Sequence, residues 1–416
     1  MAVEKELSPW EHCVRSSWTS LKTMREYSKA VQAIEDDPRI SAKLGLAGTA
    51  FSSYNVSAET VLGRVLHEAA ARCIASAHIA EAFDEAFDAL LTDIERPSLT
   101  LEVLVPLVTM SAERAHIDLL EGTTLTTLDS EAIGLAVSMG AVLPWPSPRG
   151  RRSIAPVIAL RVVIDVPTRF GPSNAVTNLE DAERLVRPIR ETVTAVIQCL
   201  RLLKADEFHA PMMLISSAGV LGGRACTAEG LSSERPFQLA PSYHLKAADE
   251  PELTELLRHL LDPQRRKWIA LPVRRFGFAA KRTTEEDRIV DLMIAAEALF
   301  LNDVGEAGRG ELRYRLSLRA SLFIKCGYPR RKVFEFFKRA YDLRSAVVHG
   351  GIPSQKQLRS PGGDSITMAQ FAEILQTLLR AALQRAAGVG VAPKWDDDLF
   401  TALVRSDQAL SSPVDD

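Results

Sequence analysis

The sequence is short of cysteine, aromatic residues and long apolar runs, and each shortage removes a class of protein. Five cysteines, Cys13, Cys73, Cys199, Cys226 and Cys326, are scattered over 416 residues. Their number is odd and no CxxC pair occurs, so neither a disulfide framework nor a cysteine zinc site is indicated. They read as small buried apolar residues. The eight histidines form no HExxH pair, and neither a metal nor another cofactor is expected. No stretch approaches the roughly 18 uninterrupted apolar residues of a membrane span. The opening residues MAVEKELSPWEHC are charged from the start and lack the apolar core of a signal peptide. The expectation is a soluble, cytoplasmic protein with no membrane partner. Repeats and low-complexity tracts are missing too. Gly219, Gly222 and Gly223 fit neither GxGxxG nor GxxxxGKS/T spacing and read as a turn after a strand.

What is present is ordinary globular material, 46% apolar and 25% charged, long enough for two or three domains. The net charge of −3 conceals an asymmetry. Between Gln264 and His349 stand 19 basic and 10 acidic residues, a balance of +9, which leaves −12 for the remainder. Such a split points either to a polyanion partner or to a solvated basic face paired with the acidic remainder of the chain.

The first 100 residues read as mainly helical, with Ser57 as an N-cap before an Ala-, Leu- and Glu-rich run through Leu91. LTLEVLVPLVTM, APVIALRVVIDVP and PMMLISSAGVL read as strands, the first at an edge or broken because of Pro106. Pro144–Gly150 is a loop. Leu179–Lys204 returns to helical spacing, with Leu185, Ile189, Val193, Val196, Ile197 and Leu200 on one face and Pro188 inside. From about Asp249 the pattern is almost purely helical. A helix over Thr284–Leu301 puts Ile289, Leu292, Met293, Ala296, Leu299 and Phe300 on one stripe, and Gly305–Gly310 ends it. Glu311–Lys325 follows, then Arg330–Val348 with Val333, Phe337, Ala340, Tyr341 and Val347 on one face, then a last helix from Ser365 and Thr367 to Ala387. The tail beyond Leu410 reads as frayed. The expected fold class is α+β: a mixed α/β domain over 1–248, followed by an all-α helical bundle over 249–416.

The candidate chemistry lies in YDLRSAVVHGG, where Arg344 and His349 form RxxxxH. Arginine holds a phosphate with a rigid fork of donors, and histidine moves a proton near neutral pH. Together they suffice to cleave RNA without a metal: the 2′-OH loses a proton, attacks the adjacent phosphorus, and the 5′-oxygen leaves. Spacing alone carries nothing, since Arg72 and His78 form a similar pair that reads as accidental. Context separates the two. Arg344 lies four residues after Ala340 and three before Val347, on an apolar stripe where a charge needs a partner or a cleft. On a regular helix His349 would sit about 140° round from Arg344, but Gly350 and Gly351 follow it and allow the chain to turn. Structural readings stand beside the catalytic one: an ion pair for Arg344, and a histidine favoured by the helix dipole for His349. Glu297 also falls on a buried stripe and needs a partner, with Arg344, Arg275 and Arg315 as candidates. It is either a structural ion-pair member or the residue that orients Arg344.

The run DRIVDLMIAAEALFLNDVGEAGRGELRYRLSLRASLFI, followed by RKVFEFFKRAYDLRSAVVHGG, resembles the HEPN superfamily, and within it the Apea-like HEPN group. The resemblance covers roughly a third of the chain. It implies a helical bundle that works as a homodimer and, in many members, a metal-independent ribonuclease of toxin–antitoxin or abortive-infection defence. Arg344 matches the motif arginine and His349 the motif histidine. After the arginine, active members commonly carry Asn, Asp or His; Ser345 stands here. On this resemblance Arg330, Arg331, Lys332 and Arg315 are expected RNA contacts, and the front region is expected to sense a phage-derived trigger or to meet an antitoxin. The alternative is a non-catalytic HEPN module that binds RNA or protein, with Arg344 and His349 as structural staples.

Overall fold

The structure is a computed structural model. It describes residues 22–42, 44–49, 52–76, 79–95, 98–129, 132–134, 136, 157–167, 169–171, 179–205, 208–217, 225–231, 243–304, 311–351 and 354–395. His78, Pro144–Gly150, Gly219, Gly222, Gly223, Gly305–Gly310 and the tail beyond Leu410 lie outside these residues. The chain is mixed α+β with a helical C-terminal region. It divides into two compact units: Met1–Leu104, Val162–Arg190 and Leu214–Ala228 form one, and Val105–Arg161, Glu191–Met213 and Glu229–Asp416 the other.

In the first unit, α1 (Arg25–Asp36) and α2 (Pro38–Ser41) precede a hairpin of β1 (Gly45–Thr49) and β2 (Ser52–Val56). Helices α3 (Ala58–Ser76) and α4 (Ile79–Glu95) follow. Ser57 caps α3 as expected, its Oγ accepting from the Thr60 N–H at 3.2 Å. Tyr27, Ile34, Val61, Leu62, Val65 and Leu90 form part of one apolar cluster between α1, α3 and α4. The hairpin was not legible as strand, because GLAGT and SSYNV contain almost no β-branched or aromatic run.

The central strands are β3 (Ser98–Pro106), β4 (Met110–Ala112), β5 (His116–Leu120), β6 (Thr123–Thr127), β7 (Ile158–Pro167), β8 (Arg169–Gly171), β9 (Met212–Ser217), β10 (Ala225–Gly230) and β11 (Tyr243–Leu245). Six of them form a sheet of order β10-β9-β3-β7-β6-β5. Strand β3 is therefore internal rather than an edge. Pro106 is tolerated because it is the last residue of the strand, where its missing N–H ends the ladder.

In the second unit, α5 (Leu179–Leu203) contributes its C-terminal half. Val193, Val196, Ile197 and Leu200 of the expected α5 stripe are buried in it, and Ile189, just inside the first unit, is buried too. The helices α6 (Glu250–Leu261), α7 (Pro263–Ala279), α8 (Glu285–Phe300), α9 (Leu312–Phe323), α10 (Arg330–Val348) and α11 (Met368–Gly388) follow. Thr284 caps α8, and Thr367 closes a capping box with Gln370 at α11. No strand occurs among the described residues between Thr284 and His349. The unit boundary does not fall at residue 248. Tyr243 donates its hydroxyl to the Leu200 carbonyl at 2.9 Å, and Arg380 and Gln384 of α11 donate to the carbonyls of Arg201 and Leu202 at 3.1 and 3.0 Å. These bonds join the end of α5 to β11 and α11.

Helix α8 is the hub. It packs on α7, α9, α10 and α11, and Ile289, Leu292, Met293, Ala296, Leu299 and Phe300 are all buried. Phe300 meets Phe323, Phe337 and Trp395 at ring-centroid distances of 6.1, 6.3 and 5.3 Å, in edge-on or tilted contacts. On α10 the buried set is Val333, Phe336, Phe337, Ala340 and Leu343. Tyr341 and Val347 are only half-buried, so the expected stripe is rotated toward Phe336 and Leu343. The cysteines divide: Cys199 is buried, which pushes its thiol upward, whereas Cys326 is exposed. The burial expected of Cys326 is thus corrected; it lies in the polar connection before α10. No described helix is long and apolar enough to cross a membrane.

Asp291 is only 2% exposed and lies among the buried apolar residues of α8. Arg275 Nη1 and Arg282 Nε donate to its two oxygens at 3.1 and 2.6 Å. Both arginines reach water, while the carboxylate does not. Removing both leaves a buried charge alone; removing one leaves the other in place. Arg275→Ala with Arg282→Ala is therefore expected to cost about 3–5 kcal/mol. That loss should exceed the sum of the single losses, as read from urea unfolding midpoints of the four proteins.

Candidate active site

Glu297, in the last turn of α8, and Arg344, in the last turns of α10, meet across the contact between the two helices. Arg344 Nη2 stands 3.7 Å from Glu297 Oε2, with side-chain exposures of 29% and 25%. Of the three candidate partners for Glu297, the structure thus selects Arg344. Arg275 belongs to Asp291, and Arg315, half-buried on α9, makes no ion pair with Glu297. The contact is longer than a hydrogen bond, and Glu297 Oε1 and Arg344 Nε are buried without a hydrogen-bond partner. Burial pushes the Glu297 carboxyl above the ordinary glutamate value, and the Arg344 charge opposes that rise. The pair is held at the rim of the core, so part of the guanidinium still reaches the surface.

His349 is the C-cap residue of α10, with φ −93° and ψ 13°. Gly350 follows at φ +71°. The Gly351 N–H donates to the Ala346 carbonyl at 2.7 Å, and the Gly350 N–H to the Val347 carbonyl at 3.0 Å. This pair of bonds is the Schellman closure, in which the residue after the cap adopts a left-handed conformation that glycine takes without steric penalty. A Cβ on Gly351 would stand 3.1 Å from the Ala346 carbonyl oxygen, so both glycines are tied to the turn. The turn stops the helix at Val348 and leaves His349 exposed. Ser345 lies between the two motif residues on the helix and is half-buried.

The structure therefore gathers Arg344, Ser345, His349 and Glu297 at one end of α10. It does not bring three of the expected RNA contacts, Arg330, Arg331 and Lys332, to them. Arg330, Arg331 and Lys332 are exposed in the first turn of α10, about 20 Å from Arg344 at the rise of a regular helix. Sequence pattern missed the Arg313–Asp342 ion pair, 2.8 Å long, which ties α9 to the middle of α10; nothing in the local pattern of either helix marks it. It also missed Ser111 and His244, directly opposed on the parallel strands β4 and β11, with Oγ and Nδ1 3.0 Å apart. Glu113 stands 3.9 Å from the other ring nitrogen, too far for a hydrogen bond. A surface cavity of about 780 Å³ lies at α6 and the start of α7, lined in part by Asp118, Glu250, Glu255, Arg258, His259 and Asp262; it contains none of the motif residues. Among the described residues no cluster of three His, Cys, Asp or Glu side chains is placed to hold a metal ion.

The raised Glu297 carboxyl sets the sign of a pH effect. Its proton is held more tightly in the folded chain, so its contribution is most favourable below the unfolded value of about 4.3. That contribution is lost as pH rises through the higher folded value. Glu297→Gln should abolish this decline, so its advantage over the parent grows with pH across that window. Arg344→Ala removes the opposing charge and should widen the window upward, at a cost of about 1–3 kcal/mol near neutrality, between the limits for exposed and buried pairs. Denaturant midpoints from pH 4 to 8 check both; a constant offset between Glu297→Gln and parent would contradict the assignment. No protein-family model matches the chain, and comparison with curated proteins and with solved structures likewise found no match.

Proposed function

We propose that this chain is a metal-independent endoribonuclease of the HEPN type, acting as a homodimer, and a toxin of antiviral abortive-infection defence. The observation that carries this reading is the end of α10: a guanidinium at the rim of the core, loosely engaged by Glu297 at 3.7 Å, and an exposed histidine at the C-cap of the same helix, where the chain leaves the helix at Gly350. Arg344 grips the phosphate under attack, and its charge offsets the charge that builds on the phosphoryl oxygens. The His349 imidazole takes the proton of the ribose 2′-OH. The freed oxygen attacks the adjacent phosphorus, and the 5′-oxygen leaves with a proton from the histidine of the second protomer. The products are a 2′,3′-cyclic phosphate and a 5′-hydroxyl end. One histidine per protomer does not readily act as base and acid within one step, and a dimer supplies both. The front unit then serves to sense a phage-derived trigger or to meet an antitoxin. A second reading, a non-catalytic module that binds RNA or protein, draws on the same ion pair: Arg344 is engaged within the chain, where it staples α8 to α10.

Three measurements separate these readings. His349→Ala should lower RNA cleavage about 100- to 10,000-fold with little loss of stability, since the side chain is exposed. Arg344→Lys keeps the charge, loses the forked contact and should retain partial activity. Cleavage should persist in EDTA, with cyclic phosphate at the new ends. Equal cleavage by folded His349→Ala and parent would favour the module.

Light scattering of the full chain at micromolar concentration should give the mass of two copies. A monomer alone would remove the source of the second proton.

A further inference from the structure

The connection before α10 and its first turn form a one-sided charged surface of the helical region. Lys325, Arg330, Arg331 and Lys332 are all exposed, and no acidic residue lies between positions 325 and 332. None of the four makes an ion pair or side-chain hydrogen bond among the described residues, although the helical region pairs most of its other charges, as at Arg275, Arg282, Arg288, Arg313 and Arg319. Their position works against the fold. Three of them occupy the positive end of a helix dipole, where cations are disfavoured and an acidic first turn would stabilise. Fold stability therefore does not account for them. In their midst Tyr328 is 42% exposed, a flat ring among unpaired cations.

The surface continues along α10. Arg330, Phe334, Lys338, Tyr341 and Ser345 are spaced by three or four residues and fall within about 80° of one another on a regular helix, over a length of about 22 Å. Tyr314 of α9, 51% exposed, meets the Phe334 ring edge-on at 5.5 Å, and Lys338 Nζ stands 5.4 Å from the centre of that ring. Beside the stripe, Glu335 lies 4.0 Å from Lys338 and Asp342 is paired with Arg313, so both nearby acids are already balanced. Basic and aromatic side chains thus alternate from the Lys325–Lys332 cluster to the end that carries Ser345, Arg344 and His349.

We infer that single-stranded RNA lies along α10, its phosphates on Lys325, Arg330, Arg331 and Lys332 and its bases stacked on Tyr328 and on the Tyr314–Phe334 pair, with the strand leading toward Arg344. Alternating cations and exposed rings suit a strand whose bases are free to stack, whereas a duplex keeps its base faces inside. This deepens the ribonuclease reading and rests on it for the choice of RNA. It concerns binding, and therefore remains separable from cleavage.

The test uses the full chain and a fluorescein-labelled oligodeoxythymidylate, which lacks the 2′-OH and cannot be cut by the proposed chemistry. Fluorescence anisotropy is followed across a salt series. Replacing Arg330, Arg331 and Lys332 together by Gln should weaken binding and make the plot of log affinity against log salt shallower by about 2, at roughly 0.7 per lost phosphate contact. Tyr328→Ala should weaken binding roughly 5- to 150-fold without altering that slope, and Tyr328→Trp should restore it. A DNA duplex of equal length should bind less tightly. The inference is overturned if the triple variant keeps the parent's affinity and slope, if the duplex binds as well as the single strand, or if polyglutamate displaces the oligonucleotide at equal charge concentration. Cleavage assays on the same proteins keep the two proposals apart. Parent-like KM and kcat in the triple variant would overturn this track and leave the ribonuclease standing. Binding through the track with no cleavage by the parent would support the track and overturn the ribonuclease.

Discussion

The burial of α8 is the constraint on which the helical region depends. A helix that touches α7, α9, α10 and α11 cannot carry a conventional polar face, and its side chains must be apolar nearly all round. Beyond Glu285 and Glu286 at its start, three acidic residues break this rule at different depths. Asp287 lies in the first turn, exposed, where the dipole favours it. Asp291 lies at full depth and is tolerated because two arginines of the α7 segment reach it from the solvent side. Glu297 lies at the rim, with a single partner from another helix. The depth of each carboxylate decides how many cations it needs.

That gradient connects the core to the candidate chemistry. A fully buried and doubly paired Asp291 fixes α7 against α8 and leaves no spare donors for a ligand. A rim pair such as Glu297–Arg344 is looser: each partner keeps a quarter or more of its surface, and one buried nitrogen and one buried oxygen remain unpaired. An arginine so placed is oriented by the core without being consumed by it. The Phe300, Phe323, Phe337 and Trp395 cluster holds α8, α9 and α10 in register from behind, so the last turns of α8 and α10 are positioned by packing rather than by the ion pair.

Helix α10 is polar in a second sense, along its axis. Its first turn carries cations against the dipole, and its last turn ends in a Schellman closure that exposes His349. The first end is costly relative to what helix stability alone would choose, whereas the glycine closure at the second is an ordinary helix ending. Deviations of this kind from local consistency are where function is usually found.

The sequence by itself determined the helices α8 to α11, because each is written in local terms. Thr284 and Thr367 are N-caps, Gly350 is a C′ glycine, and the α8 stripe repeats at 3.6 residues. It also determined the three Val- and Ile-rich strands. It did not reveal the β1–β2 hairpin, whose residues have little strand preference. Nor did it reveal that β3 lies inside its sheet, since strand order is a matter of long-range pairing. Two of the odd charges were legible as odd: Glu297 and Arg344 stand on apolar stripes, and their types and spacing marked them, whereas the more deeply buried Asp291 and Arg319 were not marked. Which arginine meets Glu297, however, was open among three. Only the crossing of α8 and α10 decided it, because side-chain partners on different helices are set by helix packing, which no window of the sequence encodes. The same holds for the unit boundary. Residues 191–213 join the later helices through backbone carbonyls at the end of α5, and acceptors of that kind are identical in every residue type.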